Sequence, residues 1–322
     1  MTIEIIADLG ANWDSEQDII DAIAPVKAAG ADVFKVQYFN YQDLYGIRPD
    51  TQLRPKIDIG RISLECEIAG IEFMCSVFNP NDVVIVDRYV KRHKIASAEA
   101  THPVLLEAVA ATHKPVIIST GCLDQADFKD IFGVLDHNKT TVLYCVSEYP
   151  ARDVDLGCIG ELDNIRVANS WSFGIGFSDH CLDICQTSCT AVIVGTEVLE
   201  KHVYHKDING NRADMGHSIS TNELKEYCDK CRAADKLEPS FCLFINNQDF
   251  VRRPIAINHI DSWQKLEYGN NWGFYRGRGV DAIPIDNFAF MAQYRANSMI
   301  SRHAIKAGDP IFLHSVRLVP KG

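Results

Sequence analysis

The chain has 322 residues, of which 47% are hydrophobic and 23% are charged. This composition is that of an ordinary globular protein, and it excludes a disordered chain, a collagen-like fibre and a coiled-coil rod. The formal net charge of −11 argues against general binding to nucleic acid or to an anionic membrane surface, so any anionic ligand must be met by a local group of cations.

Eight short apolar or β-branched runs alternate with stretches of helical periodicity through the first part of the chain, which is the pattern of consecutive βα units. The predicted strands are 3–10, 32–38, 71–78, 93–99, 115–121, 141–147, 173–179 and 197–203. The first intervening helix has Asp14 or Ser15 as its predicted cap and Gly30 as its predicted end. Eight such units predict an α/β fold, a TIM (β/α)8 barrel over residues 1–237, with a doubly wound open sheet as the alternative.

Residues 238–322 differ in character from the predicted barrel. They are rich in Gly, Asn, Arg and aromatic residues and have little helical periodicity, so we predict a separate C-terminal segment. Its arginines Arg276 and Arg278 are interpreted as an anion or interface contact rather than a nucleic-acid patch.

The cellular compartment is predicted from two features. No apolar run approaches the roughly 20 residues that span a bilayer, and the N-terminal residues MTIEIIADLGANWD lack the basic start of a secretory signal. The eleven cysteines are odd in number, and several lie inside apolar runs. That usage is typical of the reducing cytoplasm, where we expect the protein to be found.

Polar residues are dense where the predicted strands end, which is where the active site of a parallel barrel forms. The residues are Asp8, Lys35, Gln37, Ser76, Lys94, Ser97, Glu99, Ser119, Thr120, Ser147, Tyr149, Ser178, Asp179, His180, Glu200, Lys201 and His202. Each residue alone is more often a polar residue that reaches solvent, but the joint pattern indicates a site.

Two kinds of ligand follow from this pattern. Lys35 and Lys94 lie in apolar runs and are costly to bury unless an anion compensates them, as a phosphate or carboxylate ligand would. The neighbouring serines are suitable donors to the same anion. His180 and His202 end adjacent predicted strands, where they can share one divalent cation. The alternative is a pair of unrelated histidines.

A series of motifs runs along the predicted barrel. In order, they are IIADLGANW, AGADVFKVQ, KIASAE, KPVIISTG, CVSEYP, IGFSDH, the EKH run at 200–202 and RADMGHS. This series resembles the sialic acid synthases, the family of N-acetylneuraminate, pseudaminic acid and legionaminic acid synthases. The resemblance implies a TIM barrel followed by an antifreeze-protein-like domain, here short and covering about residues 290–322, in a domain-swapped homodimer.

The resemblance also implies an activity, which is condensation of phosphoenolpyruvate with an open-chain amino-sugar aldehyde. The divalent metal implied is manganese, with magnesium or cobalt as alternatives. Asp8 falls at the position of the family's catalytic glutamate, and His180 and His202 at its metal ligands. The implied phosphoenolpyruvate-binding residues are Lys35, Ser76, Lys94, Ser97, Ser119, Ser147 and Ser178, and the implied sugar-binding residues are Gln37, Glu99, Tyr149, Asp214 and Arg317.

Three features depart from the family pattern. Asp8 reaches one methylene less than a glutamate, Trp13 replaces a smaller polar ring and is expected to reshape the acceptor pocket, and the C-terminal segment is short. The alternative function is therefore a catalytically altered barrel that binds a sugar or phosphate ligand or acts as a partner subunit. A further alternative is an aldolase in which Lys94 forms an imine with a keto acid. Two lysines that face one anion favour the charged amines and argue against it.

Other reactive side chains have simpler interpretations. The cysteines at 181, 185 and 189 and those at 228 and 231 have helical spacing, so each set is interpreted as a core-facing helix side rather than a zinc site. His217, between Asp214 and Ser218, is the strongest additional candidate for the site.

Overall fold

The computed structural model describes residues 2–39, 57–206 and 214–237 and, beyond them, 252–256, 264–265, 272–276, 297–302, 304 and 316–320. Within the first of two compact units, Met1–Pro239, eight parallel strands pair in chain order, and β1 also pairs with β8. The strands are β1 Glu4–Gly10, β2 Val33–Tyr38, β3 Glu72–Val77, β4 His93–Ile95, β5 Val116–Ser119, β6 Thr140–Cys145, β7 Gly174–Asp179 and β8 Val198–Tyr204. The sheet is closed, so the predicted barrel is confirmed and the open sheet is excluded.

Each strand of the barrel is followed by a helix. The helices are α1 Glu16–Ala29, α2 Ile59–Ala69, α3 Pro80–Val86, α4 Pro103–Ala110, α5 Asp127–Val134, α6 Gly157–Ala168, α7 Gln186–Ile193 and α8 Thr221–Asp235. Ser15 caps α1 by accepting the Asp18 N–H, and Gly30 ends it with φ of 101°. Both are among the predicted capping residues, and the left-handed Gly30 conformation is one that glycine adopts without strain.

The fourth strand is the one that differs most from its prediction. The predicted strand extends to Glu99, whereas β4 ends at Ile95 and a short 3-10 turn covers Ser97–Glu99. The Ala100 N–H donates to the Ser97 carbonyl in this turn. Ser97 and Glu99 therefore lie at the mouth of the barrel on a turn rather than on the barrel wall.

Alternate residues of each strand point into the barrel, which gives the interior two distinct layers. The lower layer is apolar and consists of Ile6, Val33, Met74, Ile117, Leu143 and Val198. Two residues further along the same six strands stand Asp8, Lys35, Ser76, Ser119, Cys145 and Glu200, all of them buried. The strand period thus places a polar layer directly above an apolar one, towards the C-terminal ends of the strands.

The opposite faces of the strands pack against the helices in one large core cluster. One ion pair is buried in this outer shell, where Lys201 Nζ lies 3.1 Å from Asp179 Oδ2 and neither side chain is exposed. Ser188 of α7 donates to Asp179 at 2.7 Å, and Tyr227 of α8 donates to Ser188 at 2.9 Å. A hydrogen-bonded network therefore ties the ends of β7 and β8 to two helices.

The cysteines of α7 and α8 also lie in this shell. Cys185, Cys228 and Cys231 belong to the core cluster, and Cys189 packs against it. The Cys189 and Cys231 sulfurs are 3.9 Å apart, so the two helical sets face each other. The interpretation as core-facing residues holds for these four cysteines, whereas Cys181 is buried ahead of α7 and outside the core cluster, so it is not part of that helix face.

A two-residue strand β9, Ile219–Ser220, pairs in parallel with the last two residues of β8 before α8 begins. In the second unit, Ser240–Gly322, the described strands form two antiparallel pairs. They are β10 Arg252–Ala256 with β11 Trp272–Arg276, and β12 Asn297–Ser301 with β13 Val316–Pro320. Most of the predicted antifreeze-like segment lies outside the described residues. Among the described helices, none has the length and apolar character needed to cross a bilayer.

Candidate active site

Lys35 is the centre of a buried charge cluster at the top of the barrel. Its Nζ donates to Asp8 Oδ2 at 2.6 Å and to Ser76 Oγ at 3.1 Å, and it lies 3.5 Å from Glu200 Oε2. The strand register explains the first contact, because Asp8 and Lys35 are direct partners across β1 and β2. Three neighbouring strands therefore contribute one charge each to the same small volume.

Lys94 approaches the same glutamate from the other side. Its Nζ donates to Ser119 Oγ at 2.7 Å and to the Ile95 carbonyl at 3.1 Å, and it lies 3.8 Å from Glu200 Oε1. Ser178 donates to that same oxygen at 2.9 Å. Glu200 thus bridges the two lysines, so the protein's own carboxylates compensate the amines for which the sequence predicted an external anion.

Burial and charge compete in setting the pKa values of this cluster. Burial raises the pKa of Asp8, but Lys35 and His202 outweigh it and bring the value down to about 2. Burial likewise opposes ionisation of Glu200, and the two lysines nevertheless lower its pKa. Burial opposes the charge on Lys35, and its pKa is nevertheless raised by Asp8 and Glu200. Both carboxylates and Lys35 are therefore charged at neutral pH.

Lys94 behaves differently from Lys35. Burial lowers the pKa of Lys94, and the attraction of Glu200 does not restore it because Lys35 repels the charged amine. The protein's own groups thus favour the charged form of Lys35 and oppose that of Lys94, and the effect of a bound anion on the two amines stays a prediction. The reason that the two amines differ is the unequal distance to carboxylate oxygens, which is 2.6 Å for Lys35 and 3.8 Å for Lys94.

A group of hydroxyl and thiol side chains lies beside Lys94, around Gly121. Ser97 Oγ accepts the Gly121 N–H at 3.1 Å and lies 3.0 Å from Cys145 Sγ. A methyl group on Gly121 would collide with the hydroxyl of Ser147 and lie 2.8 Å from the Cys145 sulfur. The absence of a side chain at residue 121 therefore allows these polar groups to converge next to the amine.

The predicted metal-ligand histidines lie together at the ends of β7 and β8. The ring centres of His180 and His202 are 5.5 Å apart. His180 Nδ1 lies 2.8 Å from the Val146 carbonyl, and His202 Nε2 lies 3.6 Å from Asp8 Oδ2. Burial lowers the pKa of His180 to about 4, with a further contribution from His202. The His180 imidazole is therefore neutral at pH 7, which is the form in which an imidazole can act as a metal ligand.

A third imidazole belongs to the same cluster. The ring centre of His217 lies 4.7 Å from that of His202 and 5.6 Å from that of His180. Ligand atoms of His202, Asp214 and His217 all lie within 4.8 Å of one another, a grouping that could hold a metal ion. Buried ring nitrogens of His202 and His217 have no hydrogen-bond partner among the described residues. An imidazole and carboxylate set with unpaired nitrogens fits a divalent metal such as manganese.

The remaining predicted sugar-binding residues are spread around the mouth. Gln37 is half-buried near the end of β2, and Glu99 is half-buried on the turn after β4, where burial raises its carboxyl pKa. Tyr149 is 54% exposed, and its ring centre lies 4.5 Å from that of His180. Arg317 is in β13 of the second unit, paired with Ile300. Tyr149 thus lies against the histidine cluster, and the role of Arg317 stays a prediction.

Trp13 lies within the protein interior. Its indole is 7% exposed, belongs to the core cluster and donates from Nε1 to the Gly10 carbonyl at 3.1 Å. Gly10 has φ of 55°, and a methyl group there would collide with Asp214 and lie 3.0 Å from His202 Nδ1. Trp13 therefore supports the backbone that faces the histidine cluster.

Glu200 and Gly10 are the main site residues to which sequence reasoning gave no role. Glu200 stood among the strand-end polar residues, and its signal was the period of β8, which puts Glu200 and His202 on one face and Lys201 on the other. Gly10 lies in the IIADLGANW motif, but nothing in the sequence indicated that its missing side chain makes room for Asp214.

Comparison with known proteins relates this barrel to one family. The chain is 31% identical over 246 residues to an uncharacterised protein of Methanocaldococcus jannaschii, covering 72% of this chain and 71% of that protein. It is 27% identical over 261 residues to the N,N'-diacetyllegionaminic acid synthase of Campylobacter jejuni, covering 72% and 76% of the two chains. The crystal structure of an N-acetylneuraminic acid synthetase from Leptospira borgpetersenii has a similar fold, with a TM-score of 0.67, 23% identity and coverage of 76% and 87%.

The family model that matches this chain spans residues 22–240, which is most of the barrel and more than half of the sequence. The match includes the strands that carry both lysines, Glu200 and the histidine cluster. On this evidence, the chain is a divergent member of the NeuB family.

Proposed function

We propose that this protein condenses phosphoenolpyruvate with an open-chain amino-sugar aldehyde, releasing phosphate and forming a 2-keto-3-deoxy sugar acid. The family match and the named activity of the Campylobacter relative support this reaction. The observation that carries the proposal is the convergence of the Lys35 and Lys94 amines on Glu200, beside the imidazoles of His180 and His202.

The lysine amines and nearby hydroxyls are suited to bind the phosphate and carboxylate of phosphoenolpyruvate. The hydroxyls proposed for this role belong to Ser76, Ser97, Ser119, Ser147 and Ser178. A bound anion would compete with Glu200 for Lys35 and Lys94. The lysines would then position the substrate and neutralise its charge, without forming a covalent bond to it.

The proposed reaction forms one carbon–carbon bond, and it replaces the carbon–oxygen bond to phosphate by a carbon–oxygen bond to water. The methylene carbon of phosphoenolpyruvate attacks the aldehyde carbon, and the aldehyde oxygen takes up a proton. Water then adds to the adjacent electron-poor carbon, and the ionised carboxylate of Asp8 accepts the proton that this water loses. Phosphate leaves with the bridging oxygen, and the remaining hydroxyl loses its proton to solvent and becomes the ketone, which balances the proton that the aldehyde oxygen takes up.

A divalent metal, by the resemblance manganese, would polarise the aldehyde oxygen as a Lewis acid. His180 and His202 are the ligands that the resemblance assigns to it. Gln37, Glu99, Tyr149, Asp214 and Arg317 are the residues that it assigns to the sugar acceptor.

We further propose that residues 1–237 carry the chemistry. Residues 238–322, with the antifreeze-like part at about 290–322, would form the second domain. The active species would be a cytoplasmic homodimer, with phosphoenolpyruvate and the sugar as its small-molecule partners.

The test is release of free phosphate from phosphoenolpyruvate in the presence of Mn²⁺ and a panel of N-acetylhexosamine aldehydes. We expect turnover with at least one acceptor and its loss in Lys35→Met and Lys94→Met, since each change removes a buried amine from the site. Lys129→Met, which alters an exposed residue of α5, is the matched control and retains activity.

Two other outcomes would overturn the proposal. Binding of phosphoenolpyruvate without turnover on any acceptor would indicate the catalytically altered barrel. Borohydride trapping of a pyruvate adduct on Lys94, lost in Lys94→Met, would indicate the aldolase.

A further inference from the structure

The turn that ends at His217 and is preceded by Asp214 is held to the barrel by hydrogen bonds next to His202. It is a short 3-10 turn, Met215–His217, between β8 and β9. The Asn12 side chain donates to Ser218 Oγ and to the Val203 carbonyl, both at 2.9 Å. One amide therefore links the residue after the turn to the strand that carries His202.

The acidic member of the turn is held in place from β1. Asp214 Oδ2 accepts the Ala11 N–H at 2.6 Å, and Gly10, which has no side chain, leaves room for this carboxylate. The other oxygen, Oδ1, lies 4.0 Å from His217 Nε2. The carboxylate is thus anchored by one oxygen, while the other faces the imidazole.

The two imidazoles present unsatisfied nitrogens inside this pocket. His217 is 2% exposed and His202 is 6% exposed. His217 Nε2 and His202 Nδ1 are buried without a hydrogen-bond partner among the residues that the structure describes. Since burying an unsatisfied polar group is costly, nitrogens of this kind are expected to have a ligand in the working protein.

We propose that His202, Asp214 and His217 together bind the divalent cation, with His217 as an imidazole ligand that the resemblance does not assign. Asp214, assigned by the resemblance to the sugar, is then a metal ligand held by the Ala11 N–H. Two imidazoles and one carboxylate suit a first-row divalent ion and leave other coordination positions for water or substrate. This inference deepens the proposed function and rests on it only for the role of the metal.

The test measures binding of Mn²⁺ alone, without substrates, by isothermal titration calorimetry and by the loss of the free-ion electron paramagnetic resonance signal. We expect His217→Leu and Asp214→Asn each to raise the Mn²⁺ dissociation constant about tenfold or more, equivalent to about 1.4 kcal/mol. His217→Asp, which keeps a ligand atom, is expected to recover part of the affinity.

Controls separate metal binding from folding. His205 lies outside the proposed ligand set, and its Nδ1 is 3.1 Å from Thr221 Oγ1. The His205→Gln variant is therefore expected to bind Mn²⁺ with the same affinity as the unmodified chain. Near-ultraviolet circular dichroism and the melting temperature identify any variant that fails to fold, and His217→Asp then decides the question.

Two results would overturn the inference. One is unchanged Mn²⁺ affinity in folded His217→Leu and Asp214→Asn together with loss in His180→Gln, which would place the metal on His180 and His202 alone. The other is absence of Mn²⁺ binding by the unmodified chain. Because the readout is binding, tight Mn²⁺ binding without phosphate release would refute the proposed reaction and leave the metal site standing.

Discussion

The charge balance around Glu200 predicts that the two buried lysines contribute unequally to stability. At an effective dielectric constant of about 20, the attraction between Lys35 and Asp8 at 2.6 Å is about 6 kcal/mol, and that between Lys94 and Glu200 at 3.8 Å about 4 kcal/mol. These gross energies are offset by desolvation. The pKa of Lys35 is raised in the folded protein and that of Lys94 lowered, so only Lys35 gains more from its partners than it loses.

The experiment compares Lys35→Met with Lys94→Met in thermal unfolding at pH 7. Lys35→Met leaves Asp8 and Glu200 without their nearest cation, and loss of one partner of a buried pair costs about 3–5 kcal/mol. For a unit of this size, that corresponds to a melting temperature lower by about 6–20 °C. Lys94→Met leaves the buried Ser119 hydroxyl without the hydrogen bond from Lys94, which costs about 1–3 kcal/mol. The same change removes the cost of burying the Lys94 ammonium. We therefore expect the smaller loss for Lys94→Met.

The reverse order would refute this account of the cluster. If Lys94→Met is the less stable variant, or if Lys35→Met has the same melting temperature as the unmodified protein, Asp8 and Glu200 do not depend on Lys35 for their charge. Adding Asp8→Asn to Lys35→Met tests the same point, because neutralising the stranded carboxylate is expected to recover part of the lost stability.

Three other changes test separate features. Gly10→Ala and Gly70→Ala both place a methyl group on a left-handed residue, which costs about 1–2 kcal/mol in each case. Only the methyl group at residue 10 collides with Asp214, so we expect the melting temperature of Gly10→Ala to be the lower of the two. Equal decreases in melting temperature would contradict the collision. Burial lowers the pKa of His93 despite its contact with Asp87, so the unfolded chain binds a proton more readily than the folded protein. We therefore expect the free energy of unfolding to fall as the pH drops below about 6.5. An NMR titration midpoint of His93 above that value would contradict this. Mn²⁺ at 100 times its dissociation constant adds about 2.7 kcal/mol, and an unchanged melting temperature at that concentration would argue against a metal site.

The barrel was predictable because its signal is local. Apolar runs, their spacing and the capping residues Ser15 and Gly30 are read from neighbouring residues. The strands were therefore located to within one or two residues at most ends. The sequence does not predict the early end of β4, because residues 96–99 alternate apolar and polar side chains, which is also the pattern of a strand.

The inner partners of the site were less predictable, because they depend on which strand ends meet. The sequence placed Lys35, Lys94 and both histidines at strand ends, but only the closed register brings Glu200 between the lysines. The 3.8 Å separation that leaves Lys94 underpaired is likewise a property of the closed barrel. The approach of His217 to His202 depends on the path of the chain after β8.

The ion pair between Asp179 and Lys201, on the outer face of the barrel strands, affects which substitutions can alter the site during evolution. Each of these residues directly precedes a histidine of the mouth, and the two are register partners across β7 and β8. We expect a substitution as remote as Tyr227→Phe to act on this pair through Ser188, and so to shift the imidazoles without changing any proposed metal ligand. Mutational screens for altered ion affinity should sample the far side of the wall as well as the lining of the mouth.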